Sequence, residues 1–302
     1  MKIRTTASYI EVQTPAKVNL FFEVLARRDD GYHEIESLMC PLDWYDTLSF
    51  TRLDAPRIVL TQRWALGLEA LARRSHGALP EPRHNLAYRA VELLRERSGV
   101  RLGGQMHLIK RIPTSAGLGG GSSDAAAALV AANEAWGLGW SRQRLAELGG
   151  ELGSDVPFFL DGGAAVCRGR GERIEPIGPL GRWHLVVVRP HEGLSTAAVY
   201  ARCRPAQSPG KVQPLIAALR AGRWDQVRRT MYNALETPAG ELSPWVGRIR
   251  SELEREDLVA QQMSGSGTSF FGVCRHARHA RCVAQRLRNR GLGLVMVTCN
   301  RA

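Results

Sequence analysis

The stretch IPTSAGLGGGSSDAAAALVAAN, residues 112–133, sets a run of glycine and serine (119–123) directly against an alanine-rich segment. The two halves make opposite demands on the backbone. Glycine reaches positive φ and lets another group come close, whereas consecutive alanines favour a helix. Backbone N–H groups that converge on an anion need the first property, and the partial positive charge of a helix N-terminus needs the second. Gly117, Gly119, Gly120 and Gly121 supply the freedom, and Ser122 and Ser123 stand where they can cap a helix carried by residues 125–128. The pattern predicts a phosphate-binding loop that opens a helix, with Lys110 and Arg111 upstream to offset polyphosphate charge. It is not a P-loop, because no lysine follows the last glycine. Nor does it match a dinucleotide fingerprint, which needs a preceding strand and an acidic residue about 20 positions on.

Outward from this loop, apolar and β-branched runs predict strands near 18–25, 46–52, 57–61, 105–110 and 163–168. Asn85 opens a helix closed by Gly99, and Ser141 opens another. After Gly178 and Pro179 the pattern restarts with the strand WHLVVVRP and helices near 211–221 and 224–235. Ser243 and Pro244 begin a further helix, and strands near 268–274 and 293–299 flank a helix at 276–290. The restart divides the chain into 1–178 and 179–302, in keeping with a length of 302 residues, beyond what one core usually holds. The arginine-rich stretch 53–84 has weak periodicity and reads as partly loop.

Hydrophobic residues make up 44% of the chain and charged residues 23%, and no apolar run approaches the roughly 20 residues of a membrane span. The N-terminus, MKIRTTASYIEVQ, has no apolar signal core, so a cytoplasmic chain without a membrane partner is expected. Six scattered cysteines read as free thiols. Cys274, His276, His279 and Cys282 carry metal-ligating atoms but lack zinc-finger intervals, so no metal is expected there. The net charge of +12 is spread along the chain and suits a polyanionic small substrate or a nucleic acid; charge alone does not choose.

Three segments, TPAKVNLFFEV (14–24), GLGGGSSDAA (117–126) and MSGSGTSFFG (263–272), resemble in order and separation the three motifs of the GHMP small-molecule kinases. The resemblance spans nearly the whole chain. RRDDGYHEIESL (27–38) and LGSDVPFFL (152–160) are similar to the branch of that family whose acceptor is a cytidine diphosphate-linked methylerythritol, on the non-mevalonate route to isoprenoid precursors. What the resemblance implies is an α+β fold in two domains. The N-terminal one has a left-handed β-α-β crossover and the C-terminal one is a ferredoxin-like α/β sandwich. The implied activity is ATP-dependent phosphorylation of the acceptor's 2-hydroxyl, with Mg2+ at the phosphates.

By the same resemblance, Asp155 accepts or orients the hydroxyl proton beside Lys17, and Asn19, Tyr32, His33 and Tyr200 of STAAVY (195–200) hold the acceptor. An aromatic face suits a pyrimidine, and Tyr200 is expected to cover the second face of the base. Asn85 and Lys110 line the adenine, while Pro113, Ser115, Gly117, Leu118, Gly119, Gly120, Gly121, Ser122 and Ser123 surround the phosphates, Ser123 being also the expected metal contact. Gly265, Ser266 and Gly267 pack a tight turn against the first two motifs. Taken alone, Asp155 after Gly153 reads as a helix cap. Two rivals follow: a GHMP kinase for homoserine, mevalonate or a sugar, and an anion-binding protein without catalysis. The pairing of Lys17 with Asp155 argues against the second and against a nucleic-acid partner, since binding alone needs no proton acceptor. A monomer and a homodimer both remain open.

Overall fold

The computed structural model describes residues 1–68 and 79–301. Its first sheet is built on β1 (Lys2–Thr5), β2 (Ile10–Arg27), β3 (His33–Leu53), β4 (Ile58–Trp64) and β5 (Gly103–Lys110), in the order β1-β2-β3-β5-β4. β6 (Ala165–Gly169) pairs with β3, and β7 (Arg173–Pro176) pairs with β6. β2 and β3 are antiparallel with register shifts after Pro15, Asn19 and Val24. β4 and β5 are parallel, joined through helix α1 (Leu86–Ser98). The first half of β3 carries no strand signal of its own, because residues 33–45 mix acids, Pro41 and apolar side chains without alternation. Pairing with β2 and β6 on both edges overrides that weak local pattern. Of the 53–84 stretch, 58–64 is strand and residues 69–78 lie outside the described part.

Asn85 caps α1 by accepting from the Ala87 N–H, and Gly99 closes it at φ 68°. Helix α2 (Gly120–Ala135) follows the glycine loop, then α3 (Arg142–Leu152), capped by Ser141, and α4 (Val156–Asp161). Alanines 125–128 are fully buried, which lets α2 sit close against its neighbours with no long side chain in between. Phe50, Leu94, Met106, Leu129, Phe158 and Phe159 fill the core that these helices share with the first sheet.

The second sheet holds β8 (His184–Arg189), β10 (Ala260–Met263), β11 (Phe270–Cys274) and β12 (Leu294–Cys299), all neighbours antiparallel in the order β10-β11-β8-β12. Between β8 and β10 come α5 (Thr196–Arg202), α6 (Gln213–Arg220), α7 (Trp224–Thr230), β9 (Tyr232–Asn233), α8 (Glu236–Leu242) and α9 (Pro244–Glu254), and α10 (Ala277–Asn289) lies between β11 and β12. Counting the sheet's own four strands, the order is 4-1-3-2, that of a ferredoxin-like sandwich. Ser243 and Pro244 start α9 as expected, with Val246, Ile249 and Leu253 inward. His276 accepts from the His279 N–H and so caps α10.

The helix expected over 224–235 ends at Thr230, because β9 pairs in parallel with β2 at Phe21 and Phe22. Val18, Leu20, Leu42 and Trp44 of the first sheet share a core with Leu185, Val187 and Phe271 of the second. The glycine loop and the loop between β10 and β11 meet at this junction. No described helix is long and apolar enough to cross a membrane.

Candidate active site

Ser115, Gly117 and Gly119 have φ values of 49°, 73° and 70° at alternate positions, a pattern that turns successive N–H groups toward one concavity. Ser115 is the one non-glycine residue at positive φ among the described residues, and it sits in this loop. The helix begins earlier than the serines suggested. Gly119 is its N-cap and makes no side-chain cap, so Ser122 and Ser123 stand inside the helix rather than at its cap. The N–H groups of Gly120, Gly121 and Ser122 precede the first intrahelical bond, from Ser123 N–H to Gly119 C=O, and are left for an anion.

The third motif braces the loop from behind. The Ser264 hydroxyl donates to Gly117 C=O at 2.9 Å, and the Ser269 N–H to Ala116 C=O at 3.4 Å. Asn233 on β9 in turn holds that motif, donating to Met263 C=O and Gly265 C=O, each at 2.9 Å. A Cβ on Gly117 would lie 2.1 Å from the Ser264 carbonyl oxygen. Gly117→Ala is therefore expected to destabilise the protein by about 1–3 kcal/mol and to weaken nucleotide binding, read by denaturant unfolding and calorimetry.

A cavity of about 590 Å³ opens over the loop. Pro113, Ser115, Gly117, Gly119, Gly120, Gly121 and Ser122 line it, together with Asn85, Lys110, Lys17, Asp155 and Tyr200. The loop and the proposed proton acceptor thus face one space. Two residues expected in the phosphate loop do not. Leu118 is buried in the core between the sheets, with its carbonyl accepting the Lys17 N–H at 3.0 Å. Ser123 is fully buried, its hydroxyl donating to Pro15 C=O at 2.6 Å and lying against Thr14 Oγ1. The metal contact expected of Ser123 is corrected on that geometry, since the hydroxyl is fully buried against β2 and does not line the cavity.

Lys17 lies at a register shift of β2, 4% exposed, with Nζ 3.5 Å from Asp155 Oδ2. Its ammonium donates to Asn19 Oδ1 at 2.7 Å; Asn19 Nδ2 donates to Ser37 Oγ, and Ser37 to Phe21 C=O, each at 2.8 Å. Asn19 is fully buried and both ends of its amide are occupied, so it positions the lysine instead of contacting an acceptor, a correction to the expectation from sequence. Asp155 occupies the N-cap position of α4 yet makes no cap bond, and its side chain is 29% exposed. The capping reading fails, and the carboxylate is free to meet a ligand.

Lys110 is buried between two carboxylates. Its Nζ lies 2.5 Å from Asp124 Oδ2 and also bonds Asp46 Oδ2, while Asp46 Oδ1 accepts the N–H groups of Arg111 and Ile112. Burial pushes the Lys110 ammonium down, but Asp124 and Asp46 more than offset this and hold it above its usual range. Burial pushes the Asp124 carboxyl well above its usual range, against the pull of Lys110. The positive charge expected to meet a polyphosphate is already matched inside the protein. Arg111 is turned to Thr47 Oγ1 and Tyr45 C=O. Asn85 lines the cavity with its amide in use, Oδ1 for the α1 cap and Nδ2 donating to Gln62 Oε1 at 2.7 Å.

The Tyr200 ring packs 5.0 Å from that of His33 at 33°, which leaves no slot for a base between those two. Burial pushes the Tyr200 phenol up, and burial with Arg27 pushes the His33 imidazole down. Tyr32 is 53% exposed under the Arg170 guanidinium, 4.8 Å from its ring centroid, and neither it nor His33 lines the cavity. The sequence reading missed Asp46, Asp124, Asn233 and Thr196, whose hydroxyl lies 2.9 Å from that of Ser266 at the cavity wall. A signal existed for Asp124: it is the one charge among the alanines of a buried helix face.

A family model described as GHMP kinases N terminal domain matches residues 85–163, and one described as GHMP kinases C terminal matches 215–292. A relative from Pelotomaculum thermopropionicum named 4-diphosphocytidyl-2-C-methyl-D-erythritol kinase is 43% identical over 90% of this chain and 92% of its own. One of the same name from Bacillus cereus is 39% identical over 88% of each chain. Among solved structures, a 4-(cytidine 5'-diphospho)-2C-methyl-D-erythritol kinase matches with a TM-score of 0.80 at 35% identity, over 97% of this chain and 99% of that one. A homoserine kinase from Cytophaga hutchinsonii, 19% identical with a TM-score of 0.74 over 100% and 97% of the two chains, shares the fold. With two domain models in chain order, and relatives matched along nearly its full length, the chain belongs to the GHMP kinase family.

Proposed function

We propose that the protein transfers the γ-phosphoryl group of ATP to the 2-hydroxyl of 4-diphosphocytidyl-2-C-methyl-D-erythritol. The observation that carries this reading is the uncapped Asp155 carboxylate, 3.5 Å from Lys17, opening into the same cavity as the free N–H groups of the glycine loop. Phosphoryl transfer to an alcohol requires the hydroxyl to be oriented, its proton taken and the charge on the phosphoryl oxygens stabilised. Asp155 takes the proton, Lys17 stabilises charge at the reacting oxygens, and the loop and helix N-terminus hold the phosphates. Asn19 and Ser37 fix where the lysine points. Tyr200 supplies the aromatic wall of the cavity and packs on His33, while Tyr32 stands outside the cavity lining.

The names borne by relatives at 39–43% identity support the acceptor. Mg2+ would offset charge on the phosphate oxygens, as hard cations do in phosphoryl transfer. Among the described residues no group of three or more His, Cys, Asp or Glu could hold a metal. The chain is read as two domains, 1–178 and 179–302, acting in the cytoplasm: β1 to β7 precede the division, and β8 and β10 to β12 follow it.

ADP release measured with the cytidine-linked acceptor, the same acceptor without its cytidine, homoserine and mevalonate tests the assignment. Turnover confined to the cytidine-linked compound is expected. Comparable kcat/KM on homoserine or mevalonate would overturn the acceptor while leaving the kinase. No ATP consumption with any of the four, and steeply salt-dependent binding to RNA, would return the anion-binding alternative.

A further inference from the structure

We propose that Glu23 and Glu36 are positioning residues for the acceptor: their carboxyl groups clasp the segment 203–212 and so hold in place the helix that carries Tyr200, an assignment that rests on the acceptor reading above. Glu23 on β2 and Glu36 on β3 are direct cross-strand partners, so both side chains leave the same face of the sheet. Like charges set opposite each other weaken a sheet, and Glu23 is in addition 2% exposed. A pairing that breaks a local rule in this way marks a place where another task is served. Both groups reach one stretch of chain. Glu23 Oε2 accepts from the Gly210 N–H at 2.8 Å, and Glu36 Oε2 accepts from the Val212 N–H at 3.1 Å. Arg168 donates to Glu36 Oε1 at 3.0 Å, while Glu23 Oε1 takes the Val24 N–H at 3.1 Å.

The clasped segment and the helix before it have little else to hold them. Residues 204–211 are exposed, and Val212 at their end is fully buried. Helix α5 has seven residues, of which Val199 alone is buried, and a helix that short takes its place from its attachments. At its start Thr196 meets the Ser266 hydroxyl of the third motif. At its end the Cys203 N–H donates to Tyr200 C=O at 3.1 Å, so the strap begins on the residue that lines the cavity. Burial and the Glu23 carboxylate push the Cys203 thiol up, which sets Glu23 beside this end of the helix as well as at Gly210. The chain then crosses from the core that Tyr200 packs on, with Phe22 and Val24, to the one that holds Phe21 and Val212. It makes this crossing where the pairing of β2 with β9 ends. A strap released there would free the end of α5, and with it the ring that packs 5.0 Å from His33.

The test opens the clasp from its exposed side and reads steady-state ADP release on the full chain. Gly210→Pro deletes the donated N–H without touching the sheet. Gly210→Ala keeps that N–H, and its Cβ would meet Glu23 Oε2 at 3.4 Å and the Phe21 ring at 3.5 Å, ordinary contacts. We expect Gly210→Pro to raise KM for the cytidine-linked acceptor by at least about fivefold, with kcat and KM for ATP within about twofold of the parent, the pattern of a binding wall that is no longer pre-organised. Gly210→Ala behaves as the parent. Glu23→Leu, which cannot accept a hydrogen bond, repeats the shift, and Glu23→Gln, which keeps an accepting oxygen, recovers most of it. Because Gly210→Pro and Glu23→Leu break one and the same bond, the double variant is no worse than the weaker single one. An acceptor KM within about twofold of the parent in Gly210→Pro, an equal rise in Gly210→Ala, or a parallel rise in KM for ATP overturns the assignment. If the parent turns over homoserine or mevalonate and not the cytidine-linked compound, the failure lies in the acceptor reading itself.

Discussion

Asp155→Asn lowers kcat by about 10² to 10⁴, the range by which a positioned proton acceptor usually contributes, with little change in KM for ATP. The substitution keeps size and shape and removes the charge that pairs with Lys17. Because Asp155 makes no cap bond to α4, the helix does not depend on the carboxylate, and the loss of stability is confined to the partly exposed ion pair with Lys17. Lys17 keeps its bond to Asn19 Oδ1, so the ammonium stays where it is. The variant therefore separates chemistry from architecture. Single-turnover measurement of phosphate transfer, with ATP affinity measured beside it, reads the two independently. A fall in rate of less than about tenfold would remove Asp155 from the role of base.

The second large effect is one of stability. Lys110→Met leaves Asp46 and Asp124 buried together without the ammonium that lies between them. Breaking a buried ionic arrangement by deleting one partner costs about 3–5 kcal/mol, because the remaining charges keep their desolvation penalty. The loss should be visible as a lower denaturant midpoint. It should shrink in the double variant Lys110→Met with Asp124→Asn, where one of the stranded carboxyls is also gone. Independent, additive losses in the double variant would show that the three side chains do not act as a unit.

Much of the architecture could be read from local signals. The caps at Asn85, Ser141 and Ser243 and the closing glycine at 99 fell where capping chemistry puts them. What stayed hidden depends on partners distant in the chain. The first half of β3 is a strand because β2 and β6 flank it, and Tyr232–Asn233 is a strand because β2 offers an edge there. The same division holds at the site. The glycine loop and the neighbourhood of Lys17 and Asp155 were marked by residue type and motif. The burial of Ser123 and the grip of Asp46 on Lys110 arise only when segments more than 60 positions apart close over one another, and the occupied amide of Asn19 needs the pairing of β2 with β3.

The short strand at Tyr232–Asn233 has a mechanical consequence. It is stitched to β2 on one side and, through the Asn233 amide, to the turn behind the glycine loop on the other. A swing that parted the two sheets would have to break this pairing and both Asn233 bonds, so the rivet ties the phosphate side of the cleft to the sheet that carries Lys17.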